Sequence, residues 1–400
     1  MIGQGHPLPS IQRGEGSVSL PGPKLGPALK VALGALLAVL LLSPALARAD
    51  STPFLNQVPK EVLPLATTVP ANGDQNPYGI VTVPSSIGSL HRGDLLVSNF
   101  NDNQPNGGQQ GTGTTIVQIP PGGSTGAAGT ASVFAKINPN VLPGGVGLTT
   151  ALAVTPNGFV FVGDLPTSDG TSATAKAGGI LVLNSHGQVI ETISGGPING
   201  PWDMTAAEHG DITTLYITNV LNGTVANSPN VVHDGTVVRL SLLTIPGTRP
   251  SVLDEDVIAK GFPERTDPTA LVIGPTGVAL GSNGSLYVAD TLDNRIAAIP
   301  DAATREQPIS NGGLTVSSGG ALSGPLGMTL APNGDILTAN GGNGNIVETS
   351  PSGHQVATVS ADNASAPGGA GVLFGLTASP FTNSLYFVDD GINAVGEFAR

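Results

Sequence analysis

The sequence predicts an all-β fold, a six-bladed β-propeller of four-stranded antiparallel blades, on three observations. A phrase made of an apolar strand, a tight turn and a second strand ending in Asn or Asp recurs six times in 400 residues. A period of tens of residues marks a repeat architecture, and short strands at regular spacing mark a propeller. The 57 glycines and 34 prolines punctuate the chain too often for long amphipathic helices. The last copy supplies only three strand-like runs, while a spare run, residues 61–69, stands ahead of the first. Pairing that spare run outside the last blade would close the ring and cover an open sheet edge.

Residues 1–49 read as an export signal outside the fold. Lys24 and Lys30 precede the apolar run 31–42, and Ala47-Arg48-Ala49 supplies a small-x-small cleavage pattern before Asp50. That run is too short to cross a bilayer and has the length of a signal-peptide core. The expectation is a secreted or periplasmic product, with an uncleaved membrane anchor as the alternative. Residues 50–75 carry the closing strand, where Pro64 suits an outermost position with one unused hydrogen-bonding edge.

Residues 76–400 form the propeller. Copy one joins Tyr78-Gly79-Ile80 to 95–99, and copy two joins 150–154 to 159–164 through Pro156-Asn157-Gly158. Copy three pairs Trp202-Asp203-Met204 with 215–219, and copy four pairs 269–273 with 286–290. Copy five runs from Gly324 through Pro332-Asn333-Gly334 to Asn340, and copy six pairs Phe374-Gly375-Leu376 with 385–389. Each is followed by a third apolar stretch, such as 236–240 or 295–299.

Charge and cysteine content exclude several function classes. The formal charge is −13, more negative still without the leader, which argues against nucleic acid or anionic membranes as partners. With no cysteine, disulfides, thiol catalysis and thiolate metal sites are excluded. The partner to expect is a protein or a small-molecule ligand, bound by a monomer.

Loop lengths break the sixfold pattern. The connection after the second strand is short in blades four to six (291–294, 341–344, 390–393) and long in blades one to three (100–114, 165–179, 220–235). These loops should wall one face, and elaborated loops on a rigid scaffold commonly carry binding. Neutral insertion into tolerant loops is the plain alternative.

Aligned across the copies, one inner-strand position reads Gly79, Ala151, Asp203, Ala270, Gly327 and Gly375, so Asp203 alone is not small. Beside it stands Trp202, the single tryptophan. An acid at the channel mouth could hold Ca²⁺ or Mg²⁺ with strand-end Asp164, Asn219 and Asp290, since both ions prefer oxygen ligands. The plain reading makes Asp203 a cap on backbone N–H groups. It makes the strand-end residues, recurrent also as Asn99, Asn340 and Asp389, Asx turns. His233, in the long loop of blade three beside Asp234, is the candidate base. Trp202, Arg265 and Asp267 are candidate ligand contacts, although Arg265 and Asp267 could simply pair with each other. Gly122-Gly123-Ser124-Thr125-Gly126 lacks the following helix of a nucleophile elbow, and Arg92-Gly93-Asp94 leads straight into a strand.

The run Leu286-Tyr287-Val288-Ala289-Asp290-Thr291-Leu292-Asp293-Asn294-Arg295-Ile296, with residues 326–346, resembles an NHL-repeat propeller. Its architecture is similar to that of the SMP-30/gluconolactonase group. The resemblance implies a fold; such propellers include metal-dependent lactonases, lyases and interaction platforms. The expected function is therefore an exported binding module using the long-loop face. The alternative is a metal-dependent, lactonase-like hydrolase or lyase with its site at the channel mouth.

Overall fold

The computed structural model describes residues 52–400 apart from 105–107, 122–129, 363–370 and 399–400. The leader 1–49 and the Gly122–Gly126 motif lie outside the described residues. Six antiparallel sheets form the six blades of a propeller. Blade one runs from inner to outer strand as Gln75–Thr82, Leu95–Asn101, Thr115–Ile119 and Ser132–Lys136. Blade two is Leu148–Val154, Val160–Asp164, Gly179–Leu183 and Val189–Ser194. Blade three is Pro201–His209, Ile212–Asn219, Val232–Leu243 and the long Ser251–Asp267, with Leu271–Ile273 added as a fifth strand. Blade four is Pro275–Leu280, Leu286–Asp290, Arg295–Ile299 and Leu314–Ser318. Blade five is Pro325–Leu330, Ile336–Asn340, Asn345–Thr349 and Gln355–Ser360. In blade six, Leu373–Ala378, Leu385–Asp389 and Ala394–Phe398 are completed on the outside by Leu63–Thr67. The single turn Thr224–Asn227 is the only α-helix among the described residues.

The N-terminal strand closes the ring as the sequence predicts, pairing Leu63 with Glu397 and Thr67 with Ala394. The segment ahead of it is anchored one blade earlier. The N–H groups of Phe54 and Leu55 donate to the two oxygens of Glu348 at 2.7 and 2.8 Å. Glu348 is fully buried, and Phe54 and Leu55 enter an apolar cluster shared by blades five and six. Burying two such side chains contributes about 3–6 kcal/mol, so this strap holds the closure from two sides.

One expectation is corrected. Residues 269–273 are not the inner strand of blade four; that strand is Pro275–Leu280. Leu271–Ile273 turns back instead and pairs with the end of the preceding outer strand, Leu271 opposite Asp267. The axial residue of blade four is therefore Gly277, not Ala270. Gly274-Pro275-Thr276-Gly277 has the composition of a turn, which disguised a strand start.

Every inner strand carries a register shift at its start. A residue at or near its start pairs with the strand-end Asn or Asp of its own blade, as in Pro201 with Asn219 and Pro325 with Asn340, and pairing resumes three or four residues later. Such bulges re-aim side chains. Proline fits this position in four blades (Pro77, Pro201, Pro275, Pro325) because the ladder is interrupted there. The last residue of the bulge must be small in most blades. A Cβ on Gly277 would lie 2.2 Å from the Leu326 carbonyl oxygen, and one on Gly375 2.4 Å from that of Tyr78. Blades one, four, five and six thus back a glycine onto the next blade's inner strand.

Candidate functional site

The bulges build a plug across the axis. Tyr78, Trp202, Leu326 and Phe374 each occupy the bulge position before the axial residue, and Phe100 joins them in one buried cluster. The ring of Tyr78 stacks on Phe374 at 4.0 Å and on Phe100 at 4.4 Å between centroids, and Trp202 lies 6.2 Å from Phe374. Leu271 and Val272 belong to the same cluster, and the Trp202 Nε1–H donates to the Val272 carbonyl at 3.1 Å. Leu271 has a left-handed backbone, φ 60°, a costly conformation for leucine that the surrounding packing must hold.

The long loops are knitted together around this plug. Gln110 donates its side-chain amide to the Pro268 carbonyl at 2.9 Å, and the Thr167 hydroxyl donates to the Gln110 carbonyl at 2.6 Å. The Ser172 hydroxyl reaches the carbonyls of Asp267 and Leu271 at 3.0 and 2.8 Å. In the third loop, Ser228 and Thr266 share a hydroxyl hydrogen bond of 2.7 Å. The three loops and 268–273 therefore share one face, as loop length and topology predict.

On the other side of the plug the channel is hollow. A cavity of about 320 Å³ is lined by the inner strands of all six blades. Its wall is buried at Thr150, Asp203, Met204 and Gly375 and half-exposed at Thr205, Ala206, Leu280 and Leu330, so it opens on the face opposite the long loops. Asp203 stands at its blind end. Its Oδ1 accepts the Met204 N–H at 2.8 Å and its Oδ2 the Val278 N–H of the next blade at 3.2 Å. Burial pushes its carboxyl up to about 8, against the pull of those two hydrogen bonds.

A second group lies at the long-loop end. The Tyr78 hydroxyl is fully buried, with the Asn76 side chain as its polar neighbour. Burial first, then the charges of Asp390 and Asp267, hold it well above the usual tyrosine range. With its amide oriented to suit its neighbours, Asn76 donates to both Asp390 oxygens, at 2.8 and 3.3 Å. Asp390 is half-exposed, and burial together with Asp389 raises its carboxyl to about 7. Asn76 and Asn393 both adopt left-handed backbones, and the Asn393 side-chain oxygen accepts the Asn76 N–H at 2.7 Å. None of Tyr78, Asn76 and Asp390 was a sequence candidate. The two ends of the propeller supply them, and only ring closure brings them together.

The sequence candidates disperse. Arg265 and Asp267 pair at 2.9 Å on the outer strand of blade three, not before an inner strand as expected. Asp267 also acts on Tyr78, so the pair borders the same mouth. Burial opposes ionisation of Asp267, but the Thr269 hydroxyl and amide and then Arg265 outweigh it and hold the carboxyl low. Trp202 is a buried plug residue, 2% exposed, with no open face for a ligand. His233 is exposed and lines a shallow depression with Asp234, Lys260 and Asn311, apart from the residues lining the channel.

The strand-end residues do local work in their own blades. Asp164 accepts the Gly147 N–H at 2.7 Å, and burial raises its carboxyl to about 8. Asn219 accepts the N–H groups of Asn199 and Gly200 at 3.0 and 2.8 Å. Asp290 is held by Arg295 at 2.8 Å. Asp164 and Asn219 tie their second strand to the segment leading into the inner strand, a longer-range contact than an Asx turn, whereas Asp290 and Asp389 accept N–H groups from the turn that follows them, as expected. Among the described residues no group of three or more His, Asp or Glu side chains converges as a metal site. With Asp203 the single carboxylate among the residues lining the channel, the side chains present do not supply the oxygen ligands of a resident Ca²⁺ or Mg²⁺ there. Arg92 lies over the Phe381 ring at 3.8 Å and Asp94 is buried against Gln118, so that triplet is structural.

No protein-family model matches the chain, and no curated protein matches its sequence. Solved structures do match in fold. An α-L-arabinofuranosidase of Fusarium graminearum, solved with arabinobiose, is 12% identical over 85% of this chain and 97% of its own, with a TM-score of 0.53. A proposed gluconolactonase is 14% identical over 87% and 95%, with a TM-score of 0.51. A proposed glucose dehydrogenase of Thermus thermophilus is 12% identical over 84% and 99%, with a TM-score of 0.50. The chain thus shares the propeller architecture of these proteins, each of which bears an enzyme's name.

Proposed function

We propose that the protein is an exported, monomeric enzyme of the hydrolase or lyase type. It acts on a small polyhydroxylated, sugar-derived molecule at the long-loop end of the channel. Asp390 is its acid–base residue. The observation that carries this reading is the setting of Asp390: half-exposed, held by Asn76, near the buried Tyr78 hydroxyl, with burial and Asp389 raising its carboxyl to about 7. A base whose pKa lies close to the working pH can take a proton and return it in one turnover. All three fold neighbours named above bear sugar or sugar-lactone names, which supports the substrate class. The export pattern at 31–49 supports the location. Divalent-metal chemistry is not part of the proposal.

The test is a panel of aldonolactones and aryl glycosides assayed with the wild-type protein and Asp390→Asn. Turnover should rise with pH through a midpoint near 7, and the variant should lose about 100-fold or more. Turnover equal in the variant, or absent across the panel, overturns the reading. The knitted loops favour a second reading, a binding module on that face. A ligand bound equally by Asp390→Asn but lost when 165–179 is shortened would favour it.

A further inference from the structure

The hollow half of the channel is separate from the Asp390 end, because the aromatic plug stands between them. Among the described residues that line it, Asp203 is the single titratable group, and no cationic side chain faces it. Thr150 lines the same wall, 3% exposed, and its hydroxyl has no hydrogen-bond partner. The rest of the lining is mainly aliphatic and methionine, including Leu152, Met204, Met328 and Leu376. A lone carboxyl and an unpaired hydroxyl are thus set in an otherwise apolar sleeve. Buried carboxyls are normally paired. Here the partner space is an open cavity of about 320 Å³, at the small end of the range for ligand pockets.

We infer that this cavity is a second binding site, which takes a small organic ammonium ion from the face opposite the long loops, with Asp203 as its counter-ion. Each Asp203 oxygen accepts one backbone N–H and keeps a lone pair for an ammonium N–H. The alkyl portion lies against the aliphatic sleeve. The overall negative charge of the chain raises the local concentration of such a cation. At neutral pH the empty site holds Asp203 protonated. Binding the cation converts it to carboxylate, and the proton leaves to solvent.

The experiment uses n-butylammonium as probe and n-butanol as its neutral counterpart, followed by the fluorescence of Trp202, the chain's single tryptophan, next to Asp203 in sequence. Calorimetry at pH 7 in two buffers of different ionisation enthalpy counts protons. The expected result is saturable binding of n-butylammonium at least tenfold tighter than n-butanol, with release approaching one proton per ion bound. Asp203→Asn should remove that preference. Leu376→Phe, which narrows the cavity and keeps the carboxyl, should weaken both probes, and the wild-type proton count stands whether or not Asp203→Asn folds. Equal affinity for the two probes, no saturable response to n-butylammonium, or binding without proton release overturns the inference. Asp390→Asn, at the other end, should leave the titration unchanged, so the two sites can fail separately.

Discussion

Asp203 makes the protein less stable as pH rises, and Asp203→Asn should remove that slope. In the unfolded chain the carboxyl ionises near its ordinary 3.8, whereas burial in the folded protein raises it to about 8. Between those values the folded state holds a proton that the unfolded state has released. Stability therefore falls with pH, by about 1.4 kcal/mol per unit from this one group. Summed from pH 4 to pH 8 the ceiling is about 5 kcal/mol, and water entering the open cavity lowers it. The asparagine keeps one acceptor but sets an NH₂ group against the Met204 or Val278 N–H, at a cost of about 1–2 kcal/mol. Urea titrations of both proteins at pH 5, 7 and 8.5 should therefore cross. The two proteins are about level near pH 5, where they cross, and the variant gains steadily to lead by about 2–4 kcal/mol at pH 8.5. Asp164, Glu264 and Asp390 are also raised by burial, but they are common to both proteins and cancel in the difference. A difference that stays constant across this range would show that Asp203 titrates at its ordinary value and would refute the reasoning.

Three further perturbations probe the scaffold. Glu348→Ala leaves the Phe54 and Leu55 N–H groups unpaired and should cost about 2–4 kcal/mol, with the strap at 52–67 becoming the first site of proteolytic cutting. Cutting at an unchanged rate would show that the strap does not depend on that carboxylate. Gly327→Ala places a Cβ 1.9 Å from the Phe374 carbonyl oxygen, so the inner strands of blades five and six must part. It should cost about 3 kcal/mol or more, against about 1 kcal/mol for Gly334→Ala, a turn glycine at φ 89° with open space around it; similar melting shifts for the two would contradict the crowding argument. Trp202→Phe loses the bond to Val272 and should speed amide exchange across 268–273, while unchanged protection there would show that the roof is held by the loops alone.

The ring was legible from its repeated phrase because each copy places apolar strands and turn residues at fixed intervals, and 61–69 was legible as a closing strand because blade six came up one strand short. What the sequence hid was the bulge. Pro77-Tyr78-Gly79, Pro201-Trp202-Asp203, Pro275-Thr276-Gly277 and Pro325-Leu326-Gly327 share one pattern, a proline two residues ahead of the axial position, and that pattern would have placed the fourth inner strand correctly. Asp203 stood out because five glycine or alanine residues surround it in the alignment. Asp390 and Tyr78 did not stand out, since a second aspartate after a strand-end aspartate and one of four tyrosines carry no periodic signal. Their meeting depends on the first and last blades becoming neighbours, a contact across about 300 residues that no local pattern announces.

That blade six draws on both ends of the propeller sets a rule for how the molecule can be made. Its outer strand is Leu63–Thr67 and its third strand is Ala394–Phe398. Until translation has produced the latter, the former has nothing to bind, and blades one and six each keep an unmated flank. The growing polypeptide is therefore a string of incomplete wedges that becomes a wheel only after its last strand is released.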